Sequence, residues 1–144
     1  MQEALKEAKK AFVEDEVPVG AVVVYDGRII GRAHNQIEHL KDSTAHAEML
    51  ALTSAANYLG AKWLNGASLY VTIEPCSMCA GAIVLSRIND LYFGAKDLKT
   101  GACGSVINIV NHNKLNHHIK VKDGILEKEC GLLLKYFFKK KIKK

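Results

Sequence analysis

The sequence predicts an α/β domain in which strands and helices alternate. Three observations carry this. Short β-rich runs at residues 17–25, 28–33, 68–73 and 90–94 are separated by stretches of helical periodicity. Turn and stop residues fall between them: Asp26-Gly27, Gly60 and Pro75. The chain has 144 residues and is 49% hydrophobic, which suits one compact domain with a filled core.

Taken in order, residues 4–13 read as an amphipathic helix, with Leu5, Ala8 and Phe12 on one side. Residues 17–25 and 28–33 read as two strands joined by the Asp26-Gly27 hairpin turn. Asp42, Ser43 and Thr44 offer capping side chains for a helix that ends before Gly60. After the strand at 68–73, Pro75 is placed to open a helix running to about Ser86. A short strand at 90–94 follows. Residues 96–116 read mostly as loop, with a short helix at 105–110. An edge strand at 119–121 and a terminal amphipathic helix at 124–140 complete the pattern, which is that of a layered α/β fold.

The formal charge is +5, but residues 135–144 hold six lysines and no acid. The remaining 134 residues therefore carry +5 less +6, or one net negative charge. The basic character is local, as expected of a tail that meets an anionic partner or of a solvated helix end. No apolar run approaches the ~18 residues of a membrane span. Residues 1–10 are polar and lysine-rich, unlike a secretory signal, so a cytoplasmic setting is expected. In that setting disulfides are not expected among the four cysteines. The close pair Cys76 and Cys79 then points to metal binding or redox work.

Two motifs carry the chemistry. His46-Ala47-Glu48 stands near the start of one helix, and Cys76-Ser77-Met78-Cys79, preceded by strand and proline, stands at the start of another. Cysteines three apart share a helix face, so both sulfurs can reach one ion. One imidazole and two thiolates are ligands that Zn2+ prefers, and three protein ligands leave the fourth tetrahedral position open, as in catalytic sites. The unpaired N–H groups of helix starts favour thiolates. Glu48 lies about 200° around the helix from His46. It need not be a ligand, yet its side chain can serve as the base beside the open position. This pairing matches the H-x-E and P-C-x-x-C signature of zinc deaminases of nucleobases. Cys103 and Cys130 read as packing residues. So does Trp63, and His112, His117 and His118 read as a polar loop.

Around these motifs the chain resembles the bacterial tRNA-specific adenosine deaminases, within the cytidine deaminase-like superfamily. The resemblance runs through Glu16-Val17-Pro18-Val19-Gly20-Ala21-Val22, Asn35, Thr44-Ala45-His46-Ala47-Glu48 and Leu69-Tyr70-Val71-Thr72-Ile73-Glu74-Pro75-Cys76-Ser77-Met78-Cys79-Ala80-Gly81-Ala82. It continues through Ser86-Arg87-Ile88, Phe93-Gly94-Ala95, Lys99-Thr100-Gly101-Ala102-Cys103-Gly104-Ser105, Asn116-His117, Gly124-Ile125-Leu126, Glu129-Cys130 and Phe137-Phe138. Ser43 stands where the family often has proline, and Lys96 and Lys139 to Lys141 stand where arginines are common.

The resemblance implies a three-layer α/β/α fold with a central five-stranded mixed sheet, one deaminase domain over 1–144, a homodimer, and one Zn2+ per subunit held by His46, Cys76 and Cys79. It implies hydrolytic conversion of the wobble adenosine of a tRNA to inosine, with Glu48 moving the protons. Asn35 would bond the base, and Val19 and Ile73 would wall the pocket. Asp97, Lys99, Asn116 and Phe138 would lie along the path of the anticodon loop, with Lys139 to Lys141 near phosphates. Of the two neighbouring aromatics on the last helix, Phe137 is expected in the core and Phe138 partly exposed. Two other readings share the motifs: a deaminase of free guanine or cytosine, and a non-catalytic zinc module that binds RNA. Glu48 argues against the second, because a structural site has no use for it.

Overall fold

The computed structural model describes residues 1–142; the last two lysines of the tail lie outside the described residues. Five strands and five helices follow in the order α1 (Gln2–Val13), β1 (Gly20–Tyr25), β2 (Arg28–His34), α2 (Ile37–Leu40), α3 (Ala47–Leu59), β3 (Ser68–Ile73), α4 (Ser77–Leu85), β4 (Asp90–Ala95), β5 (Lys120–Lys122) and α5 (Glu127–Ile142). The strands form one mixed sheet in the order β2-β1-β3-β4-β5. Strand β1 pairs antiparallel with both β2 and β3, while β3, β4 and β5 run parallel. The three-layer fold with a five-stranded mixed sheet is thus the one expected.

Alternation along β1 sends its residues to opposite faces of the sheet. Ala21 and Val23 join Ala51, Ala55, Leu69, Val71, Ala80, Ile83 and Phe93 in the large core beneath α3 and α4. On the opposite face lies Gly20, where a Cβ would stand 2.0 Å from the Ala4 carbonyl of α1. Glycine is what lets α1 approach the sheet this closely. Gly94 does the same for α5, since a Cβ there would lie 2.6 Å from the Cys130 sulfur. Phe12 of α1 meets Phe137 of α5 edge-on at 6.1 Å between ring centroids, joining the two helices of that layer. Cys103 and Cys130 are buried, as packing residues should be.

Several expected boundaries move, each for a tertiary reason. Residues 17–19 lead into β1 rather than belonging to it, because Pro18 has no N–H for a ladder. Helix α2 was not expected. The N–H groups of its second and third residues, Glu38 and His39, donate to the buried Glu16 carboxylate at 3.1 and 2.8 Å. Asp42 does not cap α3; it accepts from the Thr44 N–H and hydroxyl, closing its own turn. Helix α3 begins later, with His46 as N-cap, and the Ala47 N–H donates to Asn35 Oδ1 at 2.8 Å. Pro75 precedes the N-cap Cys76 rather than occupying the first turn of α4. No helix forms at 105–110, where a bridge between Cys103 and Asn108 is found instead. Strand β5 falls one residue later than expected, and α5 starts at Glu127. Trp63 is half exposed between Lys62 and Arg87 rather than packed.

Candidate active site

The C-terminal end of β3 and the N-termini of α3 and α4 converge at one edge of the sheet. In open α/β sheets this is where ligands are received. His46 caps α3 and Cys76 caps α4, both with extended backbone, while Cys79 sits in the first turn of α4. The His46 Nδ1 atom lies 3.7 Å from the Cys76 sulfur and 3.5 Å from the Cys79 sulfur. All three ligand atoms fall within 4.8 Å of one another. Zinc–nitrogen and zinc–sulfur bonds of ~2.05 and ~2.3 Å at tetrahedral angles place N and S about 3.6 Å apart. The donor set therefore fits one divalent ion without rearrangement, and the ring presents Nδ1 to it. Among the described residues this is the one such cluster, so the three histidines of the 112–118 loop do not form a second.

Hydrogen bonds from Cys79 and His46 hold the Cys76 thiol down to about 3. The contact with Cys76 pushes Cys79 up, reinforced by burial. The Cys76 sulfur also raises the His46 imidazole. Two sulfurs and a ring nitrogen thus compete for protons at the centre a cation would fill.

Beside the cluster opens a cavity of about 210 Å³ lined by Val17, Val19, Asn35, Ile37, His46, Glu48, Ile73, Glu74, Cys76, Asp97 and Thr100. Pockets for drug-sized ligands run to ~300–1,000 Å³, so this one suits a single planar heterocycle. Glu48 is 4% exposed. Burial pushes its carboxyl up to about 7, against the pull of His46. A carboxyl so poised exchanges protons readily near neutral pH, and a bound cation would favour its ionised form. The Asn35 carboxamide has its oxygen committed to the Ala47 N–H, so its NH2 is the group left to donate to a ligand. Val19 and Ile73 supply apolar walls.

The residues expected along an RNA path separate. Asp97 reaches the cavity, with its carboxylate accepting from the Lys99 N–H, the Thr100 N–H and the Thr100 hydroxyl. Burial opposes ionisation of Asp97, but these donors hold it below the ordinary carboxylate range. Lys99 and Asn116 are exposed and do not line the cavity. Phe138, 48% exposed, lines a neighbouring cavity of about 550 Å³ that shares Val17 and Ile37 with the first; Phe137 is 4% exposed, in the core as expected. Lys139 is exposed, whereas Lys141 bonds to Asp15 at 2.6 Å and Lys140 lies over the Phe12 ring. Val17, Ile37, Glu74 and Thr100 were not read as pocket residues. For Glu74 a signal existed: an acid closing the apolar run of β3, where an unpaired carboxylate would not be buried.

An α/β/α domain that gathers an imidazole, two thiols and a buried carboxyl at the mouth of a base-sized cavity is a deaminase domain with a candidate metal centre. Residues 1–141 match the MafB19-like deaminase family. A tRNA-specific adenosine deaminase from Bacillus subtilis (strain 168) is 52% identical over 144 residues, covering 100% of this chain and 89% of that protein. Another, from Aquifex aeolicus (strain VF5), is 54% identical over 137 residues, covering 95% and 90%. A solved structure from biochemical and structural studies of A-to-I editing by tRNA:A34 deaminases superposes with a TM-score of 0.89. It is 46% identical and covers 92% of this chain and 96% of that one. The chain belongs to the family of the tRNA-specific adenosine deaminases.

Proposed function

We propose that this chain, acting as one domain over residues 1–144, deaminates the wobble adenosine of a tRNA to inosine with release of ammonia. The observation that carries the reading is the juxtaposition of the buried Glu48 carboxyl with the His46, Cys76 and Cys79 donors at a cavity sized for one base. These three residues would hold Zn2+, one per subunit. When bound, the ion supplies Lewis acidity that brings a water toward ionisation near neutral pH.

Glu48 carries the protons. It takes one from the attacking water and delivers it to N1 of the adenine as oxygen bonds to C6. It then transfers the remaining hydroxyl proton to the amino group, the C6–N bond breaks and ammonia leaves. The Asn35 NH2 donates to an acceptor on the base and fixes its rotation. Val19 and Ile73 hold the ring faces and exclude water. A base in a duplex cannot enter such a cavity, whereas an anticodon loop offers unstacked bases. Asp97 stands at the rim, Lys99 and Asn116 lie outside it, and Phe138 offers an aromatic edge beside the adjoining cavity for a neighbouring nucleotide.

A homodimer and a cytoplasmic setting are part of the same reading. The dimer is supported by the apolar outer side of α4, where Leu85 is 78% exposed and the space over Gly81 is open. The setting is supported by the tRNA substrate; no helix among the described residues is long and apolar enough to cross a membrane. The test is incubation of the zinc-loaded protein with an anticodon stem-loop carrying adenosine at the wobble position, followed by nucleoside mass analysis. Inosine at that position is expected. Its absence, or equal conversion of free guanine or cytosine, would overturn the reading.

A further inference from the structure

A buried carboxylate in the cavity wall has so far been given no work. Glu74 stands between the wall residue Ile73 and the Pro75-Cys76 turn, and is 3% exposed. Its Oε1 accepts from the Asp97 N–H at 3.1 Å and from the Ser105 hydroxyl. Its Oε2 accepts from the Cys103 N–H at 3.0 Å and the Ser105 N–H at 3.1 Å. A carboxylate offers about four lone-pair sites, and four donors take them up. Glu74 therefore has nothing left for a metal or for a substrate proton.

What these bonds do is fold the 97–105 segment around one side chain. At Gly101 a Cβ would stand 2.4 Å from the Glu74 carboxyl carbon and 2.4 Å from the Asp97 carbonyl, so the segment closes on the carboxylate with no room for a side chain. A second tie, Ala102 N–H to the Pro75 carbonyl at 2.9 Å, fastens the same segment to the turn that carries Cys76. The anchored Asp97 N–H sits at the base of the turn whose Asp97 and Thr100 line the cavity.

We propose that Glu74 is a positioning residue: by anchoring the 97–105 segment it sets the distance between the Asp97–Thr100 wall and the His46–Cys76–Cys79 centre, and so the fit of the nucleotide between them. The proposal rests on the deaminase reading. It places the effect on RNA binding rather than on the ion or on proton transfer. A glutamine at 74 turns one acceptor oxygen into a donor facing N–H and O–H groups, and the segment must shift. Displacements of the order of 1 Å at a reacting site cost up to ~100-fold.

The test compares zinc-loaded wild type, Glu74→Gln and Ser105→Ala. Zinc content, amide hydrogen exchange, Kd for an anticodon stem-loop, and KM and kcat are measured on each. For Glu74→Gln we expect full zinc, faster exchange at Asp97, Cys103 and Ser105, and Kd and KM raised about tenfold or more with a smaller change in kcat. Ser105→Ala removes one of the four donors and should move Kd and KM the same way by less; if Glu74→Gln does not fold, this variant decides alone. Unchanged Kd and KM in a folded variant would overturn the proposal. So would a fall in kcat that tracks lost zinc. If wild type binds the stem-loop but forms no inosine, the deaminase reading fails while Kd and exchange still test Glu74.

Discussion

On the proposed function Asn35 holds two tasks on one carboxamide, and substitution can separate them. Its oxygen accepts the Ala47 N–H at the start of α3, the residue lines the cavity, and its NH2 is the group left to donate there. Asn35→Ala leaves that helix N–H buried without a partner, a cost of ~1–3 kcal/mol. For a domain of this size each kcal/mol moves the melting temperature by roughly 3–5 °C, so a fall of about 3–15 °C is expected. The alanine also deletes the donor to the base, worth ~1–3 kcal/mol where a polar partner is left unpaired, or about 5- to 150-fold in kcat/KM. Asn35→Asp keeps the acceptor at a helix N-terminus, which favours negative charge, but has no NH2. It should melt at or near the wild-type temperature and still lose the same factor in kcat/KM. The assays are thermal melts, exchange of the Ala47 amide, and kinetics on an anticodon stem-loop, all on zinc-loaded protein. An alanine variant that melts with wild type, or an aspartate variant with wild-type kcat/KM, would refute the division of labour.

Three further outcomes are expected. Glu48→Gln should retain zinc and fold, yet lose at least ~100- to 10,000-fold in turnover; metal analysis with single-turnover kinetics checks this, and near-normal turnover would remove Glu48 from the reaction. Gly20→Ala drives a methyl into the α1 backbone and should cost ~3 kcal/mol or more. Gly27→Ala, with φ +74° and open space around it, should cost only ~1–2 kcal/mol, a contrast that urea melts resolve. Buried Glu7 accepts from Lys10 and Arg32 and contacts His34. Burial raises its pKa, but these partners together bring it below 4.5. A depressed carboxylate contributes stability that is present above the unfolded value and lost as pH falls through the folded one. Urea melts of Glu7→Gln between pH 6 and 3, taken as roughly bracketing an ordinary carboxyl, should therefore show a shallower loss on acidification than wild type; parallel curves would exclude Glu7 as a source of the acid dependence.

The sequence by itself determined the alternation of strands and helices, because side-chain period and turn residues act over a few positions. It also singled out the donor cluster that the structure brings together. His46, Cys76 and Cys79 are donors whose spacing and helix-start context already limit what they can hold, and Glu48 is tied to His46 by two residues of chain. Phe137 and Phe138 were told apart correctly, since neighbours on a helix point different ways. What only the tertiary structure decided are the features made by residues distant along the chain. Helix α2 depends on the Glu16 carboxylate, and the start of α3 on Asn35. The conformation of 97–105 is tied to Glu74, and the helix expected at 105–110 gives way to bonds from the Val106 and Ile107 N–H groups to the Gly101 carbonyl and to the Cys103–Asn108 bridge. The pairing of Lys141 with Asp15 crosses most of the chain and withdraws one lysine from a tail that composition alone presents as uniformly free. Buried polar groups must find partners, and the sequence shows which groups need one but not which distant donors will reach them.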